Sequence, residues 1–311
     1  MNVSIEQAAE LILTGNIVAI PTETVYGLAA DAFNIQAVKK IFEAKGRPAD
    51  NPLIVHISNM MQLKQLVTEI PDNARLLIEK FWPGPLTIVL KKTAEVPDIV
   101  TAGLETVAVR MPNHKITLDL IELTGPLTAP SANISGRPSP TKPEHVEEDF
   151  KSMIPVLDGG PSLIGIESTV IDLSEGSLLI LRPGYVTSDS IGSVTGKVVT
   201  HANPEGASLL KSPGTRYTHY KPRANVYWHN TSLPDQPAGS YFLFHTTQPE
   251  ITGKNYFFYN QDYASLARDL YDHFRTADHL GYSQIFVEPF KNSEKHPIIP
   301  ALIDRIRRAI A

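Results

Sequence analysis

Helix and strand signals alternate along the first third of the chain, and this alternation constrains the fold more than any other feature. Ser4 and Gln7 form a capping box in front of apolar residues at helical spacing. The β-branched run 17–20 follows, and a second amphipathic helix is expected between Asn34 and Gly46. Helices that alternate with short buried strands cover a sheet on both faces. The pattern therefore predicts an α/β fold.

The rest of the chain continues this pattern in two parts. In the first part, strands are expected at 53–57, 86–90, 107–109, 169–173 and 178–181, with a helix at 71–80. The second part has expected strands at 225–228, 241–244, 256–259 and 284–287, a helix at 263–277 and a terminal helix with Leu302, Ile303, Ile306 and Ile310. The proline- and glycine-containing stretch between them is typical of a linker. We therefore predict domains at 1–200 and 223–311, joined by a linker or lid at 201–222.

Length and composition agree with two globular domains. The chain has 311 residues, of which 42% are hydrophobic and 20% charged, so it can bury a sizeable core. It contains no cysteine, which excludes a disulfide framework, a thiol nucleophile and a cysteine-based zinc site. This composition fits a reducing compartment, and we expect a cytoplasmic protein.

Neither membrane insertion nor a global attraction to nucleic acid is expected. The first residues lack the basic segment and apolar run of a signal peptide. No uninterrupted apolar stretch reaches about 18 residues, the length that a spanning helix needs. The formal net charge is -5, so any site for RNA or ATP must come from a local cluster of basic residues.

Common nucleotide and hydrolase signatures are missing. Residues 192–197 come closest to a P-loop, but the segment is one residue too short and lacks the Ser or Thr that should follow. The dinucleotide-binding glycine pattern, the nucleophile-elbow pattern and the zinc-protease helix pattern are absent too. If ATP binds, the chain must hold it by a different arrangement.

Polar residues follow the expected strands closely. The loop 21–27 comes directly after the strand 17–20, at the kind of position where open α/β sheets bind ligands. An ordinary turn with capping hydroxyls is the alternative. His56 interrupts an otherwise apolar run, and a core histidine remains as plausible there as one that binds a ligand.

Basic residues occupy two further strand or helix ends. Lys45 and Arg47 flank Gly46 at an expected helix end, where they would also suit the negative end of the helix dipole. Arg110 ends an apolar strand, and a desolvated guanidinium needs an anionic partner. That partner is either a protein carboxylate or the carboxylate of a substrate held by two hydrogen bonds.

Small hydroxyl residues framed by proline or glycine form the last group. They lie in the segments 129–133, 137–139, 165–169 and 181–184. Such segments offer rigid donors to a ligand, and their alternative role is turn formation.

Seven motifs in a fixed order carry a family resemblance. They are Thr22, Glu23, Thr24, Val25, Tyr26 and Gly27; Lys45, Gly46 and Arg47; Asn51, Pro52 and Leu53; residues 82–87; Arg110, Met111 and Pro112; Pro130, Ser131, Ala132 and Asn133; and Glu167, Ser168 and Thr169. Over about 17–184 they resemble the YrdC-like family, whose members are threonylcarbamoyl-AMP synthases. The segment 212–220 and the second domain are similar to the long, two-domain form, with Thr215 where methionine is expected.

The resemblance implies a fold and a reaction. The fold is a twisted mixed sheet with flanking helices around a basic cavity, plus a smaller C-terminal α/β domain. The reaction joins L-threonine, bicarbonate or CO2 and ATP into threonylcarbamoyl-AMP, with release of pyrophosphate. Mg²⁺ is expected with ATP, and no protein ligands to a metal are assigned. A separate transferase complex would use the product to modify tRNA.

The resemblance also implies residue roles. Threonine would be bound by Thr24, His56, Arg110, Ala129 and Ser168. ATP would be bound by Lys45, Arg47, Asn51, Thr106, Ser131, Asn133, Ser139, Arg182, Arg216 and Tyr217. Lys45 and Arg47 would also be catalytic, because they would stabilise the negative charge on the phosphates. The linker would act as a lid.

Two other functions stay open at this stage. One is an RNA-binding protein that uses the same basic cavity without catalysis, which the negative net charge and the absence of a basic run disfavour. The other is a carbamoyl-phosphate-processing relative of the hydrogenase-maturation proteins. The absence of zinc-finger cysteines argues against that relative.

Overall fold

The computed structural model describes residues 1–203, 210–212, 219–229, 239–248, 253–291 and 293–310. The helices in these ranges are α1 (Ile5–Leu13), α2 (Ile35–Lys45), α3 (Met60–Leu66), α4 (Asp72–Phe81), α5 (Asp98–Thr101), α6 (Lys115–Thr124), α7 (Pro143–Phe150), α8 (Ser188–Thr195), α9 (Tyr263–His279) and α10 (Ile299–Ile310). The strands are β1 (Val18–Ile20), β2 (Gly27–Asp31), β3 (Ile54–His56), β4 (Leu86–Lys91), β5 (Thr106–Arg110), β6 (Leu127–Thr128), β7 (Thr169–Asp172), β8 (Leu179–Arg182), β9 (Thr200–His201), β10 (Asn225–Trp228), β11 (Ser240–Phe244), β12 (Tyr256–Phe258) and β13 (Gln284–Val287). Arg216 and Tyr217 lie outside the described residues.

One mixed sheet organises the N-terminal part. Nine of the described strands follow the order β1-β2-β6-β3-β5-β4-β7-β8-β9. β3 pairs with β5 in parallel, and β4 pairs with β7 in parallel, whereas β4 and β5 are antiparallel. α2, α3 and α4 contribute to the apolar cluster on the central strands, and α1 packs with α6 beside β1. The prediction of a mixed sheet with flanking helices is confirmed.

The two faces of the central strands differ in character. Val55 and Val109 belong to the large apolar cluster with the helices. Since successive side chains of a strand point to opposite faces, His56 and Arg110 lie on the other face. The apolar cluster there is small and includes Ala108. The strands therefore place polar side chains on the face that is free of the main core.

The predicted helix signals around α2 are present. The Asn34 side chain accepts hydrogen bonds from the backbone of Gln36 and Ala37, and Gly46 ends the helix in the left-handed conformation with φ 59°. Glycine adopts this conformation without the penalty that a Cβ would bring. The cap matters for the site because it turns the chain at Lys45 toward Arg47.

A second, smaller sheet organises the C-terminal part. Its described strands follow the order β10-β13-β11-β12 and all pair in parallel. α9 and α10 pack on this sheet through an apolar cluster that includes Leu266, Leu270, Leu302 and Ile306. The smaller C-terminal α/β domain is therefore confirmed.

Some elements were not predicted. β2 has the sequence GLAAD, which lacks the β-branched residues that mark a strand. α7 begins with Pro143 and carries four acidic residues, and its apolar signal is weak. The described helices are all too short or too polar to cross a membrane.

Candidate active site

A cavity of about 600 Å³, its open mouth included, is lined by the last residues of β3 and β5. These residues are His56 and Arg110, which are register partners across the parallel strands. The other lining residues are Thr22, Thr24, Val25, Gly27, Arg47, Ile54, Ala129, Pro130, Ser131, Glu167, Ser168, Arg182, His219 and Tyr220.

Arg110 is a buried cation in the cavity wall. Its Nη2 lies 2.6 Å from Oε2 of Glu23, and both side chains are 4% exposed. Nη1 donates to Thr24 Oγ1 at 2.8 Å, and Nε donates to the carbonyl of Gly84 at 3.1 Å. The protein carboxylate that a buried arginine requires is therefore Glu23. The guanidinium is held in a fixed orientation by three different groups.

His56 lies beside Arg110 as a neutral ring. Burial, to which the positive charge of Arg110 adds, lowers the pKa of His56 to about 3. The imidazole is therefore uncharged at physiological pH. Within the described part of the chain, its Nδ1 has no hydrogen-bond partner. A buried polar atom in this condition can form a hydrogen bond with a ligand.

Hydroxyl groups surround the two side chains. Thr22 and Thr24 are 2.8 Å apart at Oγ1, and the Thr22 hydroxyl donates to the carbonyl of Val25. Just before β7, Ser168 Oγ lies 2.7 Å from Oγ1 of Thr87 in β4. These contacts fix a set of small donors and acceptors around a polar space.

Arg182 contributes a second buried guanidinium at the end of β8. Its Nη2 donates to the carbonyl and the hydroxyl of Ser168 at 3.0 and 3.2 Å. Burial lowers the pKa of Arg182, but an arginine remains charged at any physiological pH. The bonds to Ser168 therefore place a permanent cation in the cavity wall.

Lys45 holds the turn at Ser131. Its Nζ donates to the backbone carbonyls of Ser131 at 2.5 Å and Asn133 at 2.6 Å. Burial, with the charge of Arg47 adding to it and Asp149 opposing it, shifts the pKa of Lys45 well below its ordinary range. Lys45 is 2% exposed and does not line the cavity. In this structure Nζ of Lys45 contacts the protein backbone, whereas the resemblance implies a contact between Lys45 and the phosphates of ATP.

Arg47 lines the cavity from the loop after α2. Its Nη2 donates to the carbonyl of Pro52 at 2.9 Å, and its Nε donates to the carbonyl of Asn51 at 3.3 Å. The Asn51 side chain is buried, and neither its nitrogen nor its oxygen has a hydrogen-bond partner among the described residues. Arg47 is thus fixed by the same loop that buries an unsatisfied amide.

Glu167 is a carboxylate in the cavity wall. Its Oε1 accepts from Ser139 Oγ at 2.5 Å, and its Oε2 accepts from Arg305 Nε at 2.7 Å and Tyr271 Oη at 3.0 Å. Burial alone would raise the pKa of Glu167, but Arg305, Arg182 and Ser139 together hold it below the usual value. Glu167 is therefore ionised at neutral pH.

His219 and Tyr220 bring the linker to the cavity. Both are buried, and their rings are 5.6 Å apart. Burial is the main reason that the pKa of His219 falls to about 3, with Arg47 and Arg308 adding to the shift. The linker at these two residues lies against the cavity.

The structure brings most of the expected site residues together. Those that line the cavity are Thr24, Arg47, His56, Arg110, Ala129, Ser131, Ser168 and Arg182. Lys45, Asn51, Asn133 and Ser139 lie behind this lining and contact it through the bonds described above, and Asn133 donates to the carbonyls of Ile134 and Arg137.

Thr106 is not among the residues that line the cavity. Thr106 begins β5 and Arg110 ends it, so the two are four residues, about 13 Å, apart along the strand. Thr106 lines a separate groove with Lys91, Lys92 and Lys211. A contact between Thr106 and ATP stays a prediction.

Two carboxylates of the site were not predicted as site residues. Glu23 and Glu167 stand in the quoted motifs, but no role was assigned to either of them. A signal existed for Glu23, since a buried arginine requires a negative partner and Glu23 is the only acidic residue of the loop 21–27. The partner of Glu167 lies 138 residues away, and no local pattern indicates it.

The carboxylates also decide how a metal ion could fit. Both face an arginine, Arg110 for Glu23 and Arg305 for Glu167. In the described ranges no three His, Asp or Glu side chains form a group that could hold a metal ion. Mg²⁺ commonly binds through phosphate oxygens and waters with few protein ligands.

Two family models cover the chain. Residues 10–184 match the model Sua5_yciO_yrdC, which is described as "Telomere recombination". Residues 186–311 match the model described as "Threonylcarbamoyl-AMP synthase, C-terminal domain".

Individual relatives agree with these models. The threonylcarbamoyl-AMP synthase of Pyrococcus abyssi is 55% identical over 223 residues, which are 70% of this chain and 66% of that protein. The Bacillus subtilis protein of the same name is 51% identical over 224 residues, which are 71% of this chain and 65% of that protein. Each match thus spans slightly less than two thirds of the relative's own length.

A solved structure extends the similarity to both domains. The crystal structure of P. abyssi Sua5 complexed with L-threonine superposes with a TM-score of 0.87 at 40% sequence identity. The superposition covers 100% of this chain and 97% of that chain. The first family model alone matches more than half of the chain. This chain therefore belongs to the Sua5, YciO and YrdC family, in the form that carries the additional C-terminal domain.

Proposed function

We propose that this protein is a threonylcarbamoyl-AMP synthase, which converts L-threonine, CO2 from bicarbonate and ATP into threonylcarbamoyl-AMP and pyrophosphate. The observation that carries the proposal is one cavity that holds Arg110 among hydroxyl groups and also contains Arg47 and Arg182. The names of the relatives and the L-threonine in the P. abyssi structure support it.

The threonine half of the proposed site is built around Arg110. Its guanidinium would bind the substrate carboxylate, with Glu23 keeping the side chain in position. The hydroxyls of Thr24 and Ser168 and the neutral ring of His56 would pair with the polar groups of threonine. Ala129, whose side chain is a single methyl group, leaves room for the substrate side chain. A site that pairs a substrate hydroxyl rejects analogues without it, because its own polar groups would stay unsatisfied.

The ATP half is formed by the remaining cations and hydroxyls. Arg47 and Arg182 would contact the phosphates, and Ser131 would donate to them from the turn that Lys45 holds. Asn51, Asn133 and Ser139 would support these contacts from behind the lining. Mg²⁺ would bind through the phosphate oxygens of ATP and supply further positive charge there. Arg216 and Tyr217 lie outside the described residues, and their closing role stays a prediction.

The proposed reaction has two steps in which atoms and charges balance. The neutral amine of threonine attacks the carbon of CO2, a C–N bond forms, and the electron pair of one C=O π bond moves to its oxygen. The nitrogen then loses a proton to bicarbonate in solution, which gives a carbamate. A carbamate oxygen then attacks the α-phosphorus of ATP, and the bond to the bridging oxygen breaks so that pyrophosphate leaves with the electron pair. The chain's contribution is orientation and stabilisation of negative charge by its arginines. No covalent nucleophile is needed.

The product would pass to a separate transferase complex that modifies tRNA, and the proposed location is the cytoplasm.

The alternative function, RNA binding without catalysis, is less well supported. Arg110 and Glu23 form a closely paired, buried cation and anion, and the net charge of the chain is -5. A phosphate backbone would find few cations exposed at such a site.

Release of pyrophosphate tests the proposal. The full chain would be incubated with ATP, Mg²⁺ and bicarbonate, with and without L-threonine, and with serine or valine in place of threonine. We expect release that requires threonine and is weaker with both analogues, since each lacks one of the groups that the site pairs. Release that is absent, or that does not depend on threonine, would refute the enzyme assignment.

The backbone at Gly184 provides an independent structural prediction. A Cβ at this position would lie 2.3 Å from the amide nitrogen of Thr169 and 2.8 Å from the carbonyl oxygen of Glu167. Gly184→Ala must therefore displace the segment that carries Ser168, at a cost of about 1–3 kcal/mol. We expect at least a tenfold loss of threonine-dependent pyrophosphate release and a lower Tm. Gly192→Ala in α8 is the matched control, and equal activity of the two variants would contradict the prediction.

A further inference from the structure

The C-terminal domain reaches the cavity through one buried cluster. It consists of Glu167, Tyr220, Tyr271 and Arg305, and we call it the Glu167 cluster. Arg305 comes from α10 and is 0% exposed, and Tyr271 comes from α9. Both side chains donate to the same carboxylate oxygen of Glu167. A residue of the cavity wall is therefore held by two side chains of the other domain.

Arg305 contacts more than the carboxylate. Its Nη2 donates to the carbonyl of Pro183 at 3.0 Å, and its Nη1 contacts Asp304. Its Cζ lies 5.4 Å from the ring centroid of Tyr220, and that ring stacks on Tyr271 at 5.3 Å. A single guanidinium thus touches the cavity wall, the segment before Gly184 and the linker.

The charges show why this contact matters for an anionic ligand. Glu167 lines the same cavity as Arg47 and Arg182. A carboxylate without a counter-ion at that place would repel the phosphates of ATP and would compete with them for the cations. Arg305 supplies the hydrogen-bonded counter-ion from the C-terminal domain, at 2.7 Å, and Arg182 adds a second, weaker charge interaction. Removal of one partner of a buried ion pair leaves the other charge uncompensated.

We infer that Arg305 is a positioning residue for the ATP site: it neutralises Glu167 from the C-terminal domain so that the cavity stays attractive to phosphates. This inference rests on the proposed function, which puts ATP into the cavity. The C-terminal domain then contributes to the nucleotide site through Arg305. Removal of both charges should remove the need for Arg305.

A pair of substitutions tests this. Arg305→Met keeps an unbranched side chain but removes the charged guanidinium group. We expect the KM for ATP to rise at least tenfold in this variant, with a smaller change in kcat. Adding Glu167→Gln should restore at least half of the loss on a logarithmic scale, because no unpaired carboxylate remains. Arg307→Met on the exposed face of α10 is the matched control. Thermal unfolding of every variant separates loss of affinity from loss of folded protein.

Direct binding of ATP by calorimetry, without threonine, separates the two proposals. A weak affinity in Arg305→Met that recovers in the double variant supports the inference even if no pyrophosphate is formed, in which case only the proposed reaction falls. An unchanged ATP affinity in Arg305→Met, or no recovery in a folded double variant, would overturn the inference. If Arg305→Met alone does not fold, the double variant decides, since its affinity must stay within about tenfold of the wild type.

Discussion

Substitution of Arg110 by Met should raise the KM for threonine roughly 100-fold, because hydrogen bonds to a charged group contribute about 1.5–3 kcal/mol and each 1.4 kcal/mol is about tenfold in affinity. The same change should destabilise the fold by about 3–5 kcal/mol, since it leaves the buried carboxylate of Glu23 without its cation. Initial rates of pyrophosphate release at varied threonine and the free energy of unfolding measure the two effects.

A second variant separates the two effects. Arg110→Met combined with Glu23→Gln carries neither charge, so the protein should regain part of its stability. Threonine-dependent activity should not return, because the group proposed to bind the substrate carboxylate is still missing. A double variant that regained both stability and threonine dependence would show that Arg110 serves only to balance Glu23.

Loss of Lys45 should have the other large effect, through the turn that it holds. Lys45→Met leaves the carbonyl of Asn133 without its donor, whereas the carbonyl of Ser131 keeps the backbone N–H of Asn133 as a donor. An unsatisfied buried acceptor costs about 1–3 kcal/mol, so we expect a destabilisation of this size. Ser131 lines the cavity, and we therefore expect at least a 100-fold loss of pyrophosphate release as well.

Lys39→Met is the matched control, because Lys39 is an exposed residue of the same helix. Chemical denaturation and steady-state rates on both variants give the comparison. A Lys45→Met protein as stable as this control, with catalysis alone impaired, would contradict the backbone-holding role and would favour a direct contact with phosphate.

The parts of the fold that depend on local sequence could be predicted. The cap at Asn34 and the stop at Gly46 bound α2 as expected, since capping needs only neighbouring residues. The bounds of most strands are predicted within one or two residues, because their runs of apolar and β-branched residues are local signals too. β2 was missed because GLAAD carries no strand signal, and its pairing with β1 and β6 stabilises it through tertiary contacts.

Many residues of the site could be predicted from the sequence, but the contacts between them could not. The need of Arg110 for an anion follows from burial, but the choice of Glu23 depends on how a loop and a strand meet in space. Thr106 is assigned to the ATP site by resemblance alone, and it begins β5 whereas Arg110 ends it. Arg305 falls between Leu302 and Ile306 on the buried face of α10, so the sequence indicates a buried arginine without indicating Glu167.

The identity of the product tests the central claim most directly. The protein would be incubated with ATP, Mg²⁺, L-threonine and isotope-labelled bicarbonate, and the nucleotides would be separated at once and analysed by mass spectrometry. The account predicts one new compound that contains AMP, threonine and the labelled carbon, formed in equal amount to pyrophosphate. If AMP or ADP forms without a compound that contains both threonine and the label, the cavity does not carry out the proposed reaction.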